Sequence, residues 1–210
     1  KRILEIEGVE RSEKALIGIT VTREKASIAF PNLNPSESYN EHVKMFAGVI
    51  DEITTKLNAK VIFIPHCIGI GERLDDRLVA RDIYDLCTNK DCLVNITNEY
   101  NARDLKSLLG ELDLFIGERV HSVINAMAMT TPSILISDTA DQRLDIIRCF
   151  GQTDVICDIE NLSRTQLLDK IYKVWNQRDS LKNTLLAQSG EARRVAERNT
   201  ELFKKVVLNQ

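Results

Sequence analysis

The stretch Leu112-Asp113-Leu114-Phe115-Ile116-Gly117-Glu118-Arg119-Val120-His121-Ser122-Val123-Ile124-Asn125-Ala126 decides how this chain folds. Apart from Asp113, its opening residues are apolar, as a strand buried on both faces requires. From Val120 onward the apolar positions fall at helical spacing. A strand that passes directly into a helix is half of a βαβ unit. It places Arg119 and His121 at the carboxyl end of the strand and in the first turn of the helix. Backbone N–H groups there lack partners, and the helix dipole favours negative charge. A guanidinium adds a planar fork matched to carboxylate or phosphate. The local chemistry therefore predicts a site for a small anion.

The same alternation extends in both directions. Ala15 to Val21 reads as a first strand, with Ser27 to Phe30 as a short partner. Asn34, Pro35 and Glu37 form a helix start: a cap, a proline at the first helical position and a carboxylate that reaches back. Val43, Phe46, Ala47, Ile50, Ile53 and Leu57 follow at helical spacing. Further strands are expected at Lys60 to Pro65, Cys92 to Ile96, Pro132 to Ile136 and Asp154 to Cys157. Further helices are expected over Leu74 to Cys87, after Asn101, over Gln142 to Phe150 and after Ser163, where Gln166 completes a capping box. Short apolar strands separated by helices predict an α/β domain: a Rossmann-like, mostly parallel sheet with helices on both faces. That domain is expected over residues 1–178, with a long charged C-terminal helix over 179–210 packing back on it or on a preceding domain.

The bulk numbers narrow the function classes. The chain has 210 residues, 43% hydrophobic and 28% charged, with a net charge of -3. This is globular composition with no basic excess to suggest nucleic acid. No apolar run approaches the roughly 18 residues of a membrane span. With no signal-peptide pattern at its start, the chain reads as cytoplasmic or peripheral to a membrane. Five cysteines, an odd number and none in a CxxC pair, read as reduced thiols rather than as a disulfide framework or a zinc site. The first residue is Lys1 rather than Met, which suggests a piece of a longer protein.

In open α/β sheets ligands bind outside the carboxyl ends of the strands. There the expected strands deliver Thr20, Thr22 and Arg23; His66, then Gly69-Ile70-Gly71; Thr97, Asn98 and Glu99; Gly117, Glu118, Arg119 and His121; and Ser137 and Asp138. Each has a plainer reading. Arg119 could pair with Glu118 or Asp138 as a structural ion pair, His121 could bond a carbonyl at a helix start, and His66 could be a satisfied loop residue. Gly69-Ile70-Gly71 lacks the third glycine of a dinucleotide fingerprint and reads as a loop. Arg143 reads as solvating a helix face.

The segment Phe115 to Ala126 resembles the GxRLHxxIxA signature of the polysaccharide pyruvyl transferase family, with Val120 where leucine is usual. Gly18-Ile19-Thr20, the strand from Val61 to His66 and the Leu112-Asp113 lead-in are similar too. After the fifth strand the family often carries a lysine; Arg143 is the basic residue here. The resemblance implies the C-terminal, donor-binding half of a GT-B fold, with an N-terminal domain absent. It implies transfer of a pyruvyl group from phosphoenolpyruvate to a sugar of a cell-surface polysaccharide, forming a ketal. On this reading His121 is catalytic; Arg119, Val120, Gly117, His66 and Ser137 bind the donor; the second partner is a carbohydrate acceptor; and no metal or cofactor is needed. Two other readings stay open. One is a GT-B glycosyltransferase using a nucleotide sugar, with Glu99 or Asp138 on the ribose. The other is a non-catalytic binding domain.

Overall fold

A computed structural model describes residues 2–10, 13–71, 74–141, 143–152 and 154–207. Six strands form one sheet: β1 (Ala15–Thr20), β2 (Ala59–Phe63), β3 (Leu93–Asn95), β4 (Leu114–Gly117), β5 (Ser133–Ser137) and β6 (Ile156–Asp158). Their order is β3-β2-β1-β4-β5-β6, and every pair is parallel. This is a Rossmann-like α/β sheet, as the alternation of elements predicts. β1 and β4 sit side by side at the centre, with Ile17 opposite both Val61 and Leu114. The chain reverses its direction of travel across the sheet there, which opens a crevice at the strands' carboxyl ends.

The helices cover the sheet in two groups. α3 (Pro35–Lys56) packs between α4 (Asp76–Leu86) and α8 (Arg164–Asn176). α6 (Val120–Ala128) packs on β4 and β5, beside α5 (Ala102–Leu109) and α7 (Leu144–Cys149). Right-handed crossovers running outward both ways from the centre require helices on both faces. α1 (Arg2–Ile6), for which the sequence offered no signal, rests on α5. α9 (Arg178–Val207) lies against α6 and α8, buries Leu185, and leaves Val195, Leu202, Phe203 and Val206 exposed. Among the described residues no helix is long and apolar enough to cross a membrane.

Local chemistry fixes the element ends. The Asn34 side chain accepts from the Ser36 and Glu37 N–H groups, and the Glu37 carboxylate returns to the Asn34 N–H, with Pro35 in the first turn. Ser163 accepts from the Gln166 N–H, but the Gln166 side chain meets the Ser163 hydroxyl instead of completing a capping box. Two expectations fail. Ser27 to Phe30 is no strand: both neighbours of β1 are taken by β2 and β4, so the chain turns through a 3-10 segment, Arg23–Lys25, into the short helix α2 (Ala26–Ala29). Leu74 is exposed and outside α4, which starts later because the Asp75 carboxylate caps the Arg77 N–H. The expected start of α7, Gln142, lies outside the described residues; the helix is described from Leu144.

Gly18 marks how closely the centre of the sheet is covered. A Cβ there would collide with Leu112 Cδ1 and sit 3.0 Å from Ile64 Cδ1 and Phe115 Cδ2. Gly18→Ala is expected to destabilise the fold by about 1–3 kcal/mol through overpacking. Chemical denaturation measures this, and an unchanged midpoint would mean that the layer yields freely.

Candidate active site

A crevice of about 420 Å³ opens at the carboxyl ends of the central strands. The loop after β1 supplies Thr22, Glu24 and Lys25; the loop after β2 supplies His66 and Cys67. Glu118, Arg119, Val120 and His121 come from the β4–α6 junction, Lys106 from α5, and Arg143 from just before α7. Four of the residues expected from the sequence, His66, Arg119, Val120 and His121, therefore share one wall-to-wall space.

Gly117 and Ser137 do not line it. Gly117 is enclosed by Val123, Phe115 and Ser122, which leave no room for a side chain. Ser137 is fully buried at the end of β5, and its hydroxyl has no partner among the described residues. Asn98 bonds to Glu7, Glu99 lies 3.8 Å from Arg77, and the Asp138 carboxylate accepts the Ala140 N–H. Gly69 and Gly71 belong to a turn in which the Gly69 N–H donates to the Leu74 carbonyl, and Gly71 takes a φ of +97°.

Arg119 is held by neither Glu118 nor Asp138. Its partner is Asp76, the first residue of α4. Arg119 Nη2 donates to Asp76 Oδ1 at 2.7 Å and Nε to Oδ2 at 2.9 Å. The same Oδ2 accepts the backbone N–H groups of His66 at 3.0 Å and Cys67 at 2.9 Å. A bidentate carboxylate fixes the guanidinium plane. Nη1 has no hydrogen bond among the described residues and stays available to a ligand. The N–H groups of Val120 and His121 at the start of α6 likewise have no partner there, because the N-cap residue Arg119 gives no side-chain cap.

Beneath the crevice lies a second buried network. Glu118 Oε2 accepts the Thr22 N–H at 2.6 Å, and Oε1 lies 2.8 Å from His42 Nε2. Burial pushes the Glu118 carboxyl up to about 8, partly opposed by the Thr22 N–H. Burial pushes His42 down to about 4. Both effects disfavour charge in the interior, so near neutral pH this floor of the crevice carries no net charge. His42 was missed from the sequence because its place in α3, four residues before Phe46, reads as an apolar core position.

The basic groups differ in their freedom. Arg143 is paired with Asp141, whose carboxyl is lowered to about 2 chiefly by the Arg143 hydrogen bond. Arg143 thus reaches the crevice instead of solvating a helix face. Lys25 and Lys106 line the crevice and form no ion pair among the described residues. Among the described residues, four cationic side chains, Lys25, Lys106, Arg119 and Arg143, line the crevice beside two carboxyl side chains, Glu24 and Glu118.

The family model for polysaccharide pyruvyl transferases matches residues 16–139, from the second residue of β1 to just past β5, and takes in every crevice residue named above except Arg143. The chain belongs to the polysaccharide pyruvyl transferase family. Amylovoran biosynthesis protein AmsJ of Erwinia amylovora is 26% identical over 156 residues, 74% of this chain and 37% of that protein. The chain thus spans well under half the length of that curated relative. Among solved structures, UDP-GlcNAc 2-epimerase from Neisseria meningitidis, bound to UDP-GlcNAc, superposes with a TM-score of 0.59 at 10% identity, over 94% of this chain and 46% of that one. A structure solved as a UDP-N-acetylglucosamine 2-epimerase of Listeria monocytogenes gives 0.62 at 14% identity, over 100% and 49%. These likenesses concern the fold alone.

The Glu118 carboxyl sets a pH dependence in this family member. A carboxyl raised from 4.5 to about 8 on folding holds a proton that the unfolded chain has lost, so its contribution is full below pH 4.5 and is lost as pH rises toward 8. His42 acts oppositely, losing its contribution as pH falls from 6.5 toward 4. Glu118→Gln keeps the hydrogen bonds without the titration. Relative to wild type, its stability should rise by up to about 1.4 kcal/mol per pH unit between pH 4.5 and 8. Denaturant unfolding across that range checks this, and parallel curves would contradict it.

Proposed function

We propose that this chain is the donor-binding part of an enzyme that transfers a pyruvyl group from phosphoenolpyruvate to a polysaccharide, forming a ketal. One observation carries the reading. The N–H groups of α6 that have no partner among the described residues, Arg119 Nη1, Lys25 and Lys106 all border one crevice, and all belong to the family-matched segment. Phosphoenolpyruvate is small and carries a carboxylate and a phosphate. Helix N-termini and guanidinium forks bind such groups. The neutral Glu118 carboxyl spares the donor a repulsive charge at neutral pH.

In the reaction His121, exposed on the crevice wall, gives a proton to the donor's methylene carbon. The adjoining carbon becomes an oxocarbenium ion, a sugar hydroxyl adds to it with loss of its proton, and phosphate leaves. A second hydroxyl of the same sugar then adds and closes the ketal. The two hydroxyl protons balance the one gained by carbon and the one gained by phosphate. Arg119, Lys25 and the helix terminus hold the anionic groups throughout.

Calorimetric titration of the full-length protein with phosphoenolpyruvate tests this. Arg119→Ala and Lys25→Ala should each weaken binding at least about tenfold, the loss of one charge-assisted hydrogen bond. Lys25→Ala guards against misfolding, since Arg119→Ala strands the buried Asp76. Wild-type affinity in both variants, or displacement of the donor by UDP at lower concentration, would overturn the reading in favour of a nucleotide-sugar donor.

A further inference from the structure

His66 lines the crevice from the loop after β2, whereas His121 lines it from α6, and the hydrogen bonds of His66 define its chemistry. Thr20 Oγ1 lies 2.7 Å from the Ile64 carbonyl oxygen and must spend its single proton there. His66 Nδ1 lies 3.2 Å from that hydroxyl oxygen and 3.3 Å from the same carbonyl. Both neighbours are then acceptors, so Nδ1 carries the ring proton. Nε2 is left with its lone pair. It has no partner among the described residues, yet it is not among the sealed, unsatisfied atoms, and His66 lines the crevice. Its lone pair is open to that space.

The surroundings keep the ring neutral. Burial lowers its pKa, and the Arg119 guanidinium adds to the effect. The Ile64 carbonyl and Asp76 oppose it, but Asp76 is already committed to Arg119 and to two backbone N–H groups. The Phe115 ring lies 6.0 Å away and brings no charge. A neutral imidazole that presents a lone pair repels the oxygens of an anionic donor. It suits the opposite partner, a hydroxyl that must lose a proton.

Resting on the transferase reading above, we infer that His66 is the general base that takes the proton from the attacking sugar hydroxyl, with Thr20 and the Ile64 carbonyl as the groups that set its tautomer. As the hydroxyl oxygen bonds to the donor's central carbon, its proton passes to Nε2. The resulting imidazolium is shared with two acceptors through Nδ1–H, and it returns the proton to solvent after phosphate departs. Where the sequence-based expectation makes His66 a donor ligand, the inference assigns a division of labour: His121 of α6 supplies a proton, and His66 of the loop after β2 removes one. Two histidines in unlike environments suit unlike roles.

The decisive measurement is ¹⁵N NMR of the imidazoles in the full-length protein at pH 7, with the His66 signals assigned by their loss in His66→Gln. The expected state is neutral with the proton on Nδ1. An imidazolium, or the Nε2–H tautomer, overturns the inference whether or not the protein binds phosphoenolpyruvate. In parallel, His66→Gln should leave phosphoenolpyruvate affinity within twofold of wild type, whereas a tenfold loss would restore His66 to the donor site and overturn the inference. With a hexoside acceptor that turns over, kcat should fall about 100-fold or more, the ordinary yield of a general base, with donor KM unchanged. A fall confined to KM overturns it. Failure of wild type to bind phosphoenolpyruvate would remove the transferase reading and leave the tautomer result standing.

Discussion

The carboxylate of Asp76 holds the site together. It receives four donors from two separate loops: the His66 and Cys67 N–H groups after β2, and two nitrogens of Arg119 after β4. These loops flank β1 and share no hydrogen-bonded strand pair, since β1 lies between β2 and β4. Asp76 spans that gap from the first turn of α4. A buried carboxylate is costly unless its lone pairs are met, and here they are. The ion pair is therefore less a source of stability than a fixture that sets where Arg119 points and how His66 leaves its strand.

A charge balance follows from that fixture. The paired arginines, Arg119 and Arg143, have lost part of their freedom to Asp76 and Asp141. Lys25 and Lys106, without an ion pair among the described residues, line the crevice, and the buried Glu118 carboxyl beneath it is kept from ionising by burial. Fixed dipoles and oriented cations of this kind stabilise an anion without reorganising on its arrival. The arrangement separates orientation, which the ion pairs provide, from attraction, which the lysines and the helix terminus provide.

The fold was legible because its signals are local and repeated. Short apolar strands, the Asn34 cap and the strand-to-helix passage at Gly117 each report a nearest-neighbour constraint. The same holds for Arg119 and His121, placed by their position between β4 and α6. What could not be read required contacts between distant parts of the chain. Asp76 reads in sequence as an acidic residue suited to any helix start, yet its partner is 43 positions away. His42 sits in an apolar stripe and reads as core. Ser27 to Phe30 has strand-like composition, and only the occupied edges of β1 exclude it. Ser137 sits at the right strand end but turns into the interior, a side-chain direction that a period-two pattern leaves undetermined at an element's last residue.

The Glu118–His42 contact joins residues 76 apart in the chain. Neither tolerates independent drift: a lone buried imidazole loses its acid, and a lone buried carboxyl loses its acceptor. The two positions form a single heritable unit. Lineages of this fold should preserve both or exchange both for an apolar pair, so alignment columns 42 and 118 would register as one character.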